Sequence, residues 1–172
     1  MLLTWVSVLG ANNDAAASGG GTTIATLGAG ADTFTGGAGT DTIVLVDGDS
    51  AATGFDKFIT YGLAADAIST AGVTGTNQVF GNVTAVAGTT NGVATGLFTF
   101  DAAAATSFAD ALAKVGTDVA VAGNSVVFQY GNNAYVFGDV DGTAATATDV
   151  LIELVGVTAT SMAASSQVFT IT

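Results

Sequence analysis

The chain of 172 residues has no cysteine, no histidine and no proline, and its only basic residues are Lys57 and Lys114. Without cysteine there can be no disulfide scaffold, no thiolate metal site and no thiol catalysis. Without histidine the usual zinc ligand and the usual neutral-pH general base are both missing, and a Ser-His-Asp triad cannot be assembled. Two lysines cannot neutralise a phosphate backbone, so nucleic acid is excluded as a partner. The apolar opening MLLTWVSVLGA has no basic residue ahead of it and is shorter than a membrane span, so it reads as neither signal peptide nor anchor, and no transmembrane segment is expected.

What is present is glycine, aspartate and short apolar runs. There are 24 glycines and 14 acidic residues, and the net charge is −12. Glu153 is the one glutamate; the other acids are aspartate, the short acid of turns and of calcium loops. Glycine cuts the apolar material into pieces suited to strands joined by tight turns, and the abundant threonine and valine favour a pleated sheet over a helix.

Residues 1–21 read as an apolar strand followed by a flexible linker of small and polar residues, 22–52 as a repeat, and 53–172 as a β-rich domain. Within the repeat, GGAGTDTIV (36–44) satisfies the pattern GGxGxDxUx, where U is a large apolar residue, and LGAGADTFT (27–35) misses only the first glycine. Each nonapeptide can make a loop and a short strand, so loops 18 residues apart stack. The fold expected is mainly β: a short parallel β-roll or β-helix leading into a β-sandwich-like or β-solenoid domain with one short helix. On that geometry Gly28, Gly30, Gly37 and Gly39 turn backbone carbonyls toward a cation, while Asp32, Asp41, Asp47 and Asp49 supply carboxylates. Calcium needs six to eight such oxygens. Asp32 is expected near the loop of Asp47 and Asp49, and Asp41 over the loop at 19–23. A second acidic stretch, GDVDGTAATATD (138–149), begins like an EF-hand loop but lacks the closing glutamate, so it reads as a plain turn.

Beyond residue 52, FDKFITYG, AISTAGV, QVFGNVTAV, GLFTF, SVVFQY, AYVFGD, VLIELVGV and QVFTIT read as strands. A helix is expected from Ser107, as its N-cap, to Val115, with Gly116 as its stop.

The two nonapeptides resemble those of RTX proteins. The order of elements over 22–172 is similar to the C-terminal region of RTX-type S-layer proteins of Gram-negative bacteria, with FDKFITYGLAADAIS, the capped helix, FQYGNNAYVFGDVDG and VLIELVGVTATSMAASSQVFTIT in sequence. The resemblance implies export by a type I secretion apparatus through an uncleaved C-terminal signal. It also implies a secreted, extracellular or cell-surface location and calcium-assisted folding outside the cell. The 21 residues before the repeat are too few for a catalytic domain, and no enzymatic activity is expected.

Two functions remain open: a structural subunit that self-assembles into a surface layer or filament, and a small secreted binding module or adhesin for carbohydrate or a surface partner. A mean hydropathy of +0.61, and strands such as VLIELVGV with both faces apolar, suggest packing that continues into neighbouring copies. Leu3, Trp5 and Val8 would anchor an N-terminal strand pairing either with its own domain or with an adjacent copy.

Overall fold

The computed structural model describes residues 4–46, 50–51, 54–72, 96–100, 105–143, 145, 148–165 and 168–172. The fold is mainly β, with one helix and two mixed sheets stacked in the manner of a β-sandwich. Strands β1 (Thr4–Val8), β3 (Thr22–Thr26), β5 (Asp41–Val46), β7 (Ala67–Gly72), β13 (Val168–Ile171) and β12 (Met162–Ser165) form a six-stranded sheet in that order. Strands β2 (Ala15–Ala17), β4 (Thr33–Thr35), β6 (Asp56–Ile59), β11 (Val150–Val155), β10 (Asn133–Gly138), β9 (Ser125–Tyr130) and β8 (Leu97–Phe98) form the seven-stranded one.

From β1 to β7 the chain alternates strictly between the sheets. Neighbours within each sheet are parallel, and partners such as Trp5 and Thr23, Thr23 and Asp41, or Ala15 and Thr33 are 18 residues apart. The interval lengthens at the last steps, where Thr33 meets Lys57 and Thr42 meets Ala67. The stretch expected as a linker thus carries β2.

Glycine sets the spacing of these units, because their loops touch backbone to backbone. A β-carbon on Gly37 would lie 1.8 Å from the Gly19 carbonyl oxygen, one on Gly39 2.1 Å from that of Gly21, and one on Gly28 2.1 Å from that of Gly10. No side chain fits in those gaps. Gly28 also has φ +86°, a left-handed conformation that L side chains rarely adopt.

Between the sheets lies an apolar core of inward side chains, including Ala25, Ile43, Ile68 and Phe169 from one sheet and Phe34, Phe58, Val136, Ile152 and Leu154 from the other. Phe34 and Phe58 meet edge to face at 5.1 Å between ring centres. The Tyr61 hydroxyl donates to the Asp66 carbonyl at 2.7 Å and accepts from the Ile171 amide at 3.1 Å, tying the last strand to the parallel units.

A second core fills the other face of the seven-stranded sheet. Val126, Phe128, Tyr135, Phe137 and Leu151 point there and are covered by helix α1 (Phe108–Asp118) through Ala111, Leu112 and Val115. The period of two is legible along β11, where Ile152 and Leu154 face one core and Leu151 the other. That strand is apolar on both faces because it is the middle layer of three, so its hydrophobicity is satisfied within the chain and gives no sign of packing into neighbours.

Ser107 caps α1, its hydroxyl accepting from the Asp110 amide at 3.1 Å. Gly116 does not stop the helix, which runs two residues further to Asp118. A β-carbon on Gly116 would lie 2.4 Å from the Ala145 nitrogen, so glycine here serves close approach of the β10–β11 connection. The expected strand QVFGNVTAV lies outside the described residues.

The glycine contacts make an asymmetric prediction. Gly37→Ala drives a methyl into the Gly19 carbonyl and should destabilise by about 1–3 kcal/mol. Gly19→Ala meets nothing within 4 Å and should change the unfolding midpoint little. Denaturant melts of the two variants check this; equal losses would contradict it.

Candidate metal centre

Each parallel unit enters its strand through an aspartate or a residue in its place, and these acids form two ladders on opposite edges. On one edge the Asp14 amide donates to Asp32 Oδ1 at 2.6 Å and the Asp32 amide to Asp56 Oδ1 at 2.9 Å. The Asp56 amide donates to Ser50 Oγ at 2.7 Å, and the Ser50 hydroxyl donates to the Leu151 carbonyl, so the ladder ends on the seven-stranded sheet. On the other edge the Asp41 amide donates to Asp66 Oδ1 at 2.8 Å.

The second carboxylate oxygen commonly bonds within its own loop. Asp14 accepts from Gly10, Asp41 from Gly37 and Asp66 from Gly62, each an amide four residues back. Asp41 also accepts from the Ser18 hydroxyl at 2.8 Å. These aspartates therefore do for the backbone what a capping residue does for a helix: they satisfy amides that the turn leaves unpaired.

Of the residues expected to hold calcium, Asp32 and Asp41 are wholly buried, but at opposite edges, so their carboxylates do not converge. Asp41 stands in register with Thr23. Asp32 has Asp14 and Asp56 as its ladder neighbours, and Asp47 and Asp49 lie outside the described residues. Gly28, Gly30, Gly37 and Gly39 occupy the backbone contacts between units. One oxygen of each buried acid, Asp32 Oδ2 and Asp41 Oδ1, has no hydrogen-bond partner and is shielded from solvent. Among the described residues, neither lies in a group of three converging acids.

Such a group does form, among the described residues, in the stretch expected to be a plain turn. Asp139, Asp141 and Asp149 each bring a carboxylate oxygen within 4.8 Å of the others. The cause is strand register. Gly138 of β10 pairs with Val150 of β11, so Asp139 and Asp149, one step beyond, flank the mouth of an antiparallel pair. Both are buried, while Asp141 is exposed.

Local hydrogen bonds orient them. Asp139 Oδ1 accepts from the Gly142 amide at 2.6 Å, Asp149 Oδ1 from Val140 at 2.9 Å, and Asp141 Oδ2 from the Thr148 hydroxyl at 2.8 Å. Asp139 Oδ2 is buried without a partner. Burial first, and then the charges of Asp149 and Asp141, push the Asp139 carboxyl above the usual range against the pull of the Gly142 amide. The missing EF-hand glutamate hid this cluster in the sequence; its signal was an aspartate at the facing ends of two apolar strands. An all-oxygen set in a chain without histidine or cysteine suits a hard cation and not zinc.

Both lysines are ion-paired. Lys57 Nζ lies 3.1 Å from the buried Glu153 carboxylate, and Lys114 Nζ 3.6 Å from Asp110.

Burial, the largest cause, also raises the carboxyls of Asp32 and Asp66, opposed by the amide of Asp14 in one case and those of Gly62 and Asp41 in the other. A folded-state pKa above the unfolded value of about 3.9 means that the folded chain holds its protons longer. These two groups therefore favour folding most below about pH 4, and that contribution is lost as pH rises through their raised folded values. In chelator, the melting temperature should fall as pH rises above about 4, and Asp32→Asn should flatten the dependence. Parallel pH profiles for the variant and the parent would contradict this.

No protein-family model matches the chain, and no curated protein matches it.

Proposed function

We propose that the chain is an extracellular structural subunit that associates with copies of itself into a surface layer or filament, stabilised by calcium and without catalytic activity. The observation that carries this reading is the charge distribution of the six-stranded sheet. Its six strands contain one charged residue, Asp41, and that residue is buried.

Register identifies the outward rows. Val6, Ile24 and Thr42 align in one, and Val8, Thr26, Val44 and Val168 in another that also runs through the buried Ser69, while Ala25, Ile43, Ile68 and Phe169 alternate inward to the core. Val6 and Val8 are 62% and 72% exposed, an apolar strip at the end of the sheet where β1 has no further neighbour among the described residues. For a chain of net charge −12, such a face lets copies meet without like-charge repulsion, and an open strand edge offers unpaired main-chain groups to the next sheet. β1 pairs with β3 of its own chain. In this proposal it therefore presents its outer edge and does not cross to a neighbour.

The parallel units would then form a short β-roll of the RTX kind, with calcium drawn to the unpartnered oxygens of Asp32 and Asp41. Type I export rests on the same resemblance. The adhesin alternative has less support: the described aromatic rings are buried in the two cores, as Phe34, Phe58, Phe128 and Tyr135 are, or packed half-buried against them, as Phe55, Phe100, Phe108 and Tyr130 are.

Charge on the outward face tests the proposal. The parent should form layers or filaments in millimolar calcium by electron microscopy, whereas Val6→Lys/Ile24→Lys should sediment as a folded monomer with association weakened tenfold or more. A parent that stays monomeric would overturn the function; a double variant that assembles like the parent would overturn the surface.

A further inference from the structure

We propose that Asp139, Asp141 and Asp149 form a calcium site, separate from the glycine repeat, that fastens the β10–β11 connection against helix α1. The proposal stands apart from self-assembly and from any ion held by the repeat.

Three observations converge. The first is the cluster itself, with three carboxylate oxygens inside 4.8 Å. Ligand oxygens that share one calcium ion sit about 2.3–2.6 Å from it, so three oxygens already this close to one another can reach one ion with little movement. The second is Asp139, which has no exposed surface and whose Oδ2 has no hydrogen-bond partner. A buried, unsatisfied carboxylate oxygen is costly to keep and is the atom a cation would satisfy. The third is register. Placing Asp139 and Asp149 at facing positions beyond the pair of Gly138 and Val150 sets like charges across from one another, an arrangement that is destabilising unless something neutralises it.

Four other oxygens of the set are already held. Gly142 and Val140 donate to Asp139 Oδ1 and Asp149 Oδ1, and Thr143 and Thr148 hold Asp141, so the carboxylates are oriented before an ion arrives. Gly142 takes φ +80°, which lets the chain turn within hydrogen-bonding reach of Asp139.

The connection also touches the helix directly. Ala145 packs so closely on Gly116 that no β-carbon fits, and the Gly123 amide donates to the Asp139 carbonyl at 2.8 Å just beyond α1. An ion at the three acids would hold this connection, and through it the cover of the second core.

Calorimetric titration of calcium into the full chain tests the site, with Asp149→Asn and Asp139→Asn compared against Asp32→Asn. The parent should bind with an affinity of about 0.1–1 mM, typical of extracellular calcium modules. Asp149→Asn and Asp139→Asn should each remove one ion from the stoichiometry or weaken it at least tenfold, and should melt higher than the parent in chelator. Asp32→Asn should leave this ion in place. Unchanged uptake in Asp149→Asn and Asp139→Asn, or no uptake by the parent, would overturn the proposal. Should those variants fail to fold, hydrogen exchange of the parent decides. Calcium-dependent protection of the Val140, Gly142 and Thr143 amides supports the site, and protection confined to 28–41 overturns it.

Discussion

Where the loop of one 18-residue unit meets the next, the carbonyl oxygen of Gly19 occupies the place that a β-carbon on Gly37 would need, and Gly21 and Gly10 do the same to Gly39 and Gly28. Backbone pressed on backbone leaves no room for register to slip. It fixes the parallel pairing of β1, β3 and β5 and of β2 and β4, and with it the alternation that sends Ile43 and Phe34 into a common core from opposite sheets. The turns also leave loop amides without backbone partners, and these find acceptors in the chain. The aspartates at 14, 32, 41, 56 and 66 provide them, each taking an amide of its own loop, an amide of the unit before it, or both.

Carboxylates are thus buried in two different settings. Along the ladders the charge is met by amides, which offset part of its desolvation. At the mouth of β10 and β11 it faces other carboxylates. In both settings one oxygen is left without a hydrogen-bond partner, Asp32 Oδ2, Asp41 Oδ1 and Asp56 Oδ2 along the ladders and Asp139 Oδ2 at the mouth. Both place acids at the ends of strands, where turns leave amides to be satisfied.

The remaining charge is kept off one surface. With Asp41 turned inward, the six-stranded sheet presents valine, threonine and isoleucine outward, while the seven-stranded sheet is covered over part of its outer face by α1 and carries Lys57 against Glu153. The two sheets therefore differ in what lies beyond them. Among the described residues, one has an internal cover, and the other ends in strands without exposed charge and in β1 at its edge.

Much of this was legible in the sequence because its causes are local. The strand character of the apolar runs, the Ser107 cap and the 18-residue interval follow from side-chain alternation, capping chemistry and the spacing of glycines. Four features were not. The stretch at 15–17 is too small and bland to signal a strand, and becomes one only because β4 lies beside it. Gly116 looks like a helix stop until Ala145 is seen against it. The apolar faces of β11 could have packed on a neighbouring copy as well as on a sheet and a helix of the same chain. The acids at 139, 141 and 149 became a cluster only through the antiparallel register of β10 and β11, a pairing that no local pattern encodes. Sequence determines what each residue needs, whether an acceptor, a gap or an apolar neighbour; tertiary structure decides who supplies it, because the supplier is usually far along the chain.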